Sequence, residues 1–297
     1  MTANNYKGVI NVYKEPGYTS HDVVAIVRKT LGIKRVGHTG TLDPNAEGVL
    51  PICVGTATKL ADYIAANDKT YVADLILGHT TDTGDVTGEV LTRQEDEMDY
   101  SNVIEEVISS FAGDQLQTPP MYSAIKIGGQ KLYQLARKGV TIERKPRPIY
   151  IHSLKILAEI DSGYRIEVNC SKGTYIRSLC MDIGAKLGCG AVMGRLVRTK
   201  SGQFRVEDAV KLDVIKAANH FEPLILAVDK VLPYPAVQVK PEGIAMAVNG
   251  NPLPLRLVDG NAFDKSDKCW LYSGDKIIGL FAKSEKKSNK LYPEVML

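Results

Sequence analysis

The sequence predicts one large unit of mixed helices and strands, followed by a small and mostly β module. Three observations predict it. Apolar residues alternate with period two from Tyr71 to Leu77 and from Tyr164 to Cys170, as in strands that bury one face. They recur with helical period at Val23, Val24, Ile26, Val27 and Leu31, and again at Ile176, Leu179, Cys180, Ile183 and Leu187. Around residue 230 the texture changes, with Pro233, Pro235 and Pro241 breaking the chain before two further short strands.

A chain of 297 residues can bury a substantial core in one large domain and still carry a small one. Its 44% apolar and 24% charged residues are ordinary for a soluble globular protein. No apolar run approaches the length of a membrane span, and residues 1–7 lack the charged-then-apolar layout of a signal peptide. The five cysteines are odd in number and scattered, with no C-x-x-C pair. That pattern points away from a disulfide framework or a zinc site and toward the reducing cytoplasm.

In chain order, Val9–Tyr13 reads as a strand and Lys14–Tyr18 as a turn, with Ser20 able to cap a helix that Gly32 stops. Residues 49–54 form a buried strand, 56–64 an amphipathic helix, and 69–77 the alternating strand. The turn-rich segment 78–89 is acidic but lacks the spacing of an EF-hand, so a metal is not expected there. A helix at about 101–112 follows, with Gly113 behind it. Next come Thr118-Pro119-Pro120, a glycine hinge at Gly128-Gly129, and a stiff basic connector at Arg144–Pro148. After the second alternating strand and the helix beyond Gly173, the last module holds a short helix from Glu242 to Val248. Strands at 269–272 and 277–282 are then joined by a Gly-Asp turn.

The net charge of +3 says little, but its distribution says more. Residues 126–150 carry seven basic side chains against one acidic, residues 165–205 eight against two, and residues 82–106 one against nine. Such asymmetry suits either a phosphate-binding face or ordinary solvated helix faces.

One stretch stands apart. Arg35–Leu50 holds three glycines, two threonines, a histidine and a proline between apolar segments, so it is a polar loop fixed by structured neighbours. Asp43 within it precedes Pro44. Taken alone, Asp-Pro reads as a turn more readily than as a reactive carboxylate. The string Gly37-His38-Thr39-Gly40-Thr41-Leu42-Asp43-Pro44, with Ala46, Gly48, Val49 and Leu50, resembles the signature of the bacterial tRNA pseudouridine 55 synthases. Other stretches resemble the same family: Lys14-Glu15-Pro16-Gly17, where Glu15 precedes the proline and the lysine lies one position earlier; Lys69-Thr70-Tyr71; Pro119–Lys126; Cys170–Arg177; and Gly194–Thr199.

The resemblance implies an α+β pseudouridine synthase fold, with a central mixed, mainly antiparallel sheet flanked by helices. It implies a catalytic domain over 1–230, carrying an RNA-clamping insertion at about 117–150, and a PUA-like RNA-binding module over 231–297. Asp43 would be the catalytic nucleophile and Arg177 its partner, keeping the carboxylate charged and its pKa low. Tyr71, otherwise a packed strand aromatic, would meet the target uracil. Tyr175 would line the pocket, Leu196 would touch the flipped base, and His38 would fill the place that base vacates. Lysines at 283–290 would add affinity. The activity implied is isomerisation of uridine 55 in the T loop of tRNA, with no cofactor, metal, membrane or obligatory protein partner, by a cytoplasmic monomer. A guide-RNA-dependent synthase subunit and a tRNA-folding chaperone are the rival readings.

Overall fold

The computed structural model describes residues 6–94, 99–259, 266–284 and 287–297. A ten-stranded sheet forms the frame. Across it run Val210–Lys211, Gly8–Lys14, Glu47–Val54, Ala191–Ser201, Lys69–Leu77, Gly163–Cys170, Arg147–Ile160 and Gly113–Gln117. Val36–His38 pairs with Glu47–Val54, and Phe204–Arg205 with Ala191–Ser201. The pairings of Gly8–Lys14 with Val210–Lys211 and of Glu47–Val54 with Ala191–Ser201 are parallel; the others are antiparallel. The sheet is therefore mixed and mainly antiparallel, as expected.

Period-two alternation divides the core between its faces. Ile10, Val12, Leu50, Ile52 and Val54 join the core that also holds Val23, Val27 and Leu31 of one helix and Ile176, Leu179 and Ile183 of another. Val9, Val49 and Cys53 point the other way. There they meet Ala57, Leu60 and Ile64 together with Trp270, Leu280 and Val295 of the C-terminal module.

Local chemistry sets the elements and their ends, and five features differ from expectation. Helix Ser20–Leu31 is capped by Thr19, in a capping box with Asp22, and not by Ser20; Gly32 ends it at φ +66°. The segment 56–64 opens as a 3₁₀ turn, Gly55–Leu60, because the Thr58 hydroxyl takes the Gly55 carbonyl at 2.9 Å; an α-helix follows only over Ala61–Ala65. The helix expected at 101–112 contracts to Ile104–Ser109. Tyr100 receives the first turn's N–H groups ahead of it, and bonds from Phe111 to Ile108 and from Ala112 to Ser109 tighten its end. Gly128-Gly129, expected as a hinge, is the two-residue turn of a hairpin between Lys126–Ile127 and Gln130–Lys131. Both glycines have positive φ, +57° and +83°, as that turn requires. Arg147, expected in the connector, opens the long strand Arg147–Ile160.

The C-terminal module is a six-stranded sheet ordered Leu253–Pro254, Lys287–Met296, Lys276–Ser284, Lys268–Ser273, Ala236–Val239 and Val258–Asp259. Gly274-Asp275 makes the expected turn. The lysine run at 283–290 extends into residues 285–286, which lie outside the described residues. Trp270 is fully buried, and its indole N–H donates to the Leu232 carbonyl at 2.7 Å. Because this core belongs to both sheets, Trp270→Ala should destabilise the chain by about 3–5 kcal/mol. Denaturant unfolding followed by far-UV circular dichroism should show that loss within one cooperative transition.

Candidate active site

The signature loop leaves strand Val36–His38 and re-enters the sheet at Glu47, and because these two strands pair with each other, both its ends are fixed. Leu42 and Ala46 are buried and anchor it from within. Its backbone is held from three sides. The Ser20 hydroxyl accepts from the Leu42 N–H at 2.9 Å and donates to the Leu42 carbonyl at 3.1 Å. This bond spends the side chain that would otherwise have capped its own helix.

The Lys14 ammonium, fully buried, donates to the Pro44 carbonyl at 2.9 Å and the Glu15 carbonyl at 3.1 Å. Burial pulls its pKa down to about 8, against the pull of Asp43. Arg198, only 2% exposed, donates from Nε to Val49 O at 2.7 Å, from Nη2 to Gly40 O at 3.2 Å and from Nη1 to Thr41 O at 3.4 Å. Charge-assisted bonds of this kind contribute about 1.5–3 kcal/mol each. Gly48 has to be glycine: its φ is +105°, and a Cβ there would lie 2.3 Å from the Arg198 carbonyl.

This scaffold presents Asp43 to Arg177. Arg177 Nε lies 2.9 Å from Asp43 Oδ2, and its Nη2 donates to Oδ1 at 3.3 Å. The arginine side chain is 5% exposed, whereas the aspartate keeps 38% of its surface open to solvent. Arg177 sits in the first turn of helix Ile176–Leu187, where the helix dipole disfavours a cation. The carbonyls of Thr83, at 3.1 Å, and Tyr122, at 2.7 Å, complete its coordination.

The expected lowering of the Asp43 pKa is not the net result. Burial raises it more than Arg177 lowers it, and Asp85 adds a further upward push. The arginine therefore restrains a shift that burial would otherwise enlarge.

Tyr71 faces this pair from the sheet, two residues into strand Lys69–Leu77 and opposite Arg198. It is 8% exposed. Burial raises its phenol pKa, so it stays protonated, while Arg198, within hydrogen-bonding reach, and the Asp43 charge act on it in opposite senses. Tyr175, half-buried, precedes the arginine helix; burial raises its pKa too, and Ser123 and Arg177 oppose the rise. Leu196 pairs across from Ala73, two residues along the ladder from Tyr71, and is 6% exposed.

His38 stands at the loop's beginning. Its Nδ1 accepts the Gly40 N–H at 3.3 Å, and the His21 ring meets it edge-on at 5.4 Å. Burial, then the His21, Arg198 and Lys131 charges, pull its pKa down to about 4, so near neutrality it is an uncharged ring. Lys131 belongs to the inserted hairpin, which brings that hairpin's charge to the loop entrance.

All six sequence-derived residues thus line one region. Sequence reasoning passed over Arg198 and Gln117, and gave Ser20 and Lys14 no part in the loop. Arg198 was within reach, since it follows Leu196 by two in a strand and so shares its face. Gln117, whose amide grips the backbone of Tyr175, carried no signal beyond its place before Thr118.

Residues 28–176 match the family model described as TruB family pseudouridylate synthase (N terminal domain), and residues 177–232 the one described as tRNA pseudouridylate synthase B C-terminal domain. The chain belongs to the TruB family. It is 46% identical over 286 residues to the tRNA pseudouridine synthase B of Clostridium tetani (strain Massachusetts / E88), spanning 94% of this chain and 96% of that one. It is 47% identical over 245 residues to the protein of the same name from Alkaliphilus oremlandii (strain OhILAs), 82% of each. Among solved structures, the archaeal box H/ACA sRNP Nop10-Cbf5 complex matches with a TM-score of 0.71 at 26% identity, over 99% of this chain and 86% of that one. An H/ACA RNP bound to a substrate RNA containing 2′-deoxyuridine matches at 0.69 and 26%, over 97% and 84%.

The burial of His38 has a direct consequence. Followed by NMR, its ring protons should titrate with a midpoint near 4, well below the ~6.5 of a free histidine.

Proposed function

We propose that this chain isomerises uridine 55 in the T loop of tRNA to pseudouridine, with Asp43 as the nucleophile. The observation that carries the reading is the ion pair itself, an aspartate held by a buried arginine yet open on one side to a reactant. The tRNA substrate is taken from the names of relatives that align over nearly the whole chain. Those names also favour a stand-alone enzyme over a guide-RNA-dependent subunit. A chaperone that only bound RNA would have no use for a half-open carboxylate fixed in this way.

The reaction is a rearrangement without net redox change. The C1′–N1 bond of the uridine breaks, the uracil turns, a C1′–C5 bond forms, the C5 proton leaves to solvent and N1 takes up a proton. An ionised Asp43 supplies what each route to cleavage requires, whether attack at C1′, addition to uracil C6 or removal of the 2′ proton. Arg177 keeps enough of it ionised against the burial that opposes this. Tyr71 remains a protonated phenol, which favours a stacking role on the uracil over that of a free base. Leu196 and Tyr175 wall the pocket, and His38, uncharged and flat, fills the gap left by the flipped nucleotide.

In this reading residues 1–230 are the catalytic domain, and 117–150 clamp the RNA with Lys126, Lys131, Arg137, Lys138, Arg144, Lys145 and Arg147. Residues 231–297 are a PUA-like RNA-binding module. The enzyme acts as a cytoplasmic monomer without cofactor or obligatory protein partner.

The test is tritium release from C5-labelled uridine in an unmodified tRNA transcript. Wild type should release tritium from a single T-loop uridine. Asp43→Asn should release none while binding tRNA within about tenfold of wild type, or 1.4 kcal/mol. Turnover near the wild-type rate by the variant would refute the nucleophile, and tight binding without release by wild type would favour the chaperone. Because burial raises the Asp43 pKa, the acid limb of kcat/KM should also lie above the range of an ordinary aspartate. A pH profile on the same substrate checks this.

A further inference from the structure

Helix Ile176–Leu187 starts without help from its own sequence. Tyr175, its N-cap residue, has extended backbone and makes no side-chain capping bond. The first turn then holds Arg177, a buried cation where the dipole favours an anion. An uncapped start carrying such a charge needs an outside hold to stay in one place.

Gln117 supplies that hold. It is the last residue of edge strand Gly113–Gln117 and is 4% exposed. Its Oε1 accepts the Tyr175 N–H at 2.8 Å, and its Nε2 donates to the Tyr175 carbonyl at 3.0 Å. Both ends of one buried amide are thus spent on the backbone of a single residue, the one that launches the arginine helix. The same carbonyl accepts the Leu179 N–H at 3.1 Å, so the side chain acts as an added rung at the helix entrance.

The neighbours of Gln117 continue the seam. The Ser178 hydroxyl donates to Thr118 O at 3.0 Å, and Arg177 Nη2 donates to Tyr122 O at 2.7 Å. Four hydrogen bonds therefore join residues 117–122, the root of the basic insertion, to residues 175–178.

We propose that Gln117 is a positioning residue for the reaction: by fixing the backbone of Tyr175 it sets where Arg177 meets Asp43, and it ties that placement to the root of the RNA-facing insertion. The inference rests on Asp43 being the nucleophile. Its substance is that the strand edge, and not the helix itself, determines the geometry of the ion pair. Gln117 touches neither Asp43 nor Arg177, and its influence runs through two residues of backbone.

The experiment compares Gln117→Ala and Gln117→Met, the latter keeping the packing while removing both hydrogen bonds. Three quantities are read on the full chain: kcat for tritium release, tRNA affinity, and the acid limb of kcat/KM against pH. Misplacement of a reacting group by about 1 Å can cost on the order of a hundredfold. Both variants should therefore lose roughly ten- to a hundredfold in kcat while their tRNA Kd stays within about threefold of wild type. The acid limb should also move to higher pH, because a displaced Arg177 no longer opposes the burial that raises the Asp43 pKa. A merely structural role would leave that limb in place.

The inference is overturned if both variants turn over within about threefold of wild type, or if affinity and kcat fall together with the acid limb unmoved. It is overturned as well if both variants fail to fold, which would make Gln117 a residue of the scaffold only. Absence of tritium release by wild type would instead refute the functional reading on which it rests.

Discussion

Everything in the candidate site depends on keeping one arginine buried beside one carboxylate. Arg177 is almost wholly removed from water, in a helix turn whose dipole opposes it. Stranding one partner of a buried ion pair costs about 3–5 kcal/mol, so the surrounding structure has to satisfy the guanidinium from every side. It does so with Asp43 and with the backbone carbonyls of Thr83 and Tyr122. Each comes from a different connecting segment: the signature loop, the acidic turn after strand Lys69–Leu77, and the inserted loop. Much of the chain's irregular structure thus converges on one side chain.

The loop that carries Asp43 meets the complementary requirement. Too polar and too rich in glycine to hold itself, it borrows rigidity from charged groups that are themselves buried. Arg198 and Lys14 donate to carbonyls on either side of Asp43. Both cations also act on the site electrostatically: Lys14 favours the ionised aspartate, and Arg198 lies beside the Tyr71 hydroxyl. Burial works in the other direction, raising Asp43 and Tyr71 and depressing His38. The outcome is a carboxylate poised by opposing forces, in a region that also holds a protonated phenol and an uncharged imidazole. That is a suitable setting for chemistry on a neutral base.

The two cores brace the candidate site from both faces of the sheet. One face of the ten-stranded sheet packs the helices that flank Asp43 and Arg177, and the other packs the short 55–65 segment together with the C-terminal module. Trp270 is shared in this way, so the module braces the back of the strands that carry the site. The boundary near residue 230 marks a change of sheet but not the end of a core.

The sequence by itself determined the alternating strands, the two long helices and the Gly-Asp hairpin, and its resemblance to a known family named six residues that the structure brings into one region. Those features are written in local periodicity, turn chemistry and contiguous motifs, which need no knowledge of distant contacts. It misjudged what depends on competition between neighbours. Ser20 is a good cap by type, yet Thr19 caps and Ser20 serves the loop, because a hydroxyl goes to whichever backbone group lies within reach. The net direction of the Asp43 pKa could not be read either, since a partner's charge is visible in a motif while desolvation is a property of the packed surroundings. The hydrogen bonds that Gln117 and Arg198 make were decided only by the tertiary structure. Their partners lie 58 and about 150 residues away in the chain, and only the closing of the sheet brings such groups within hydrogen-bonding distance.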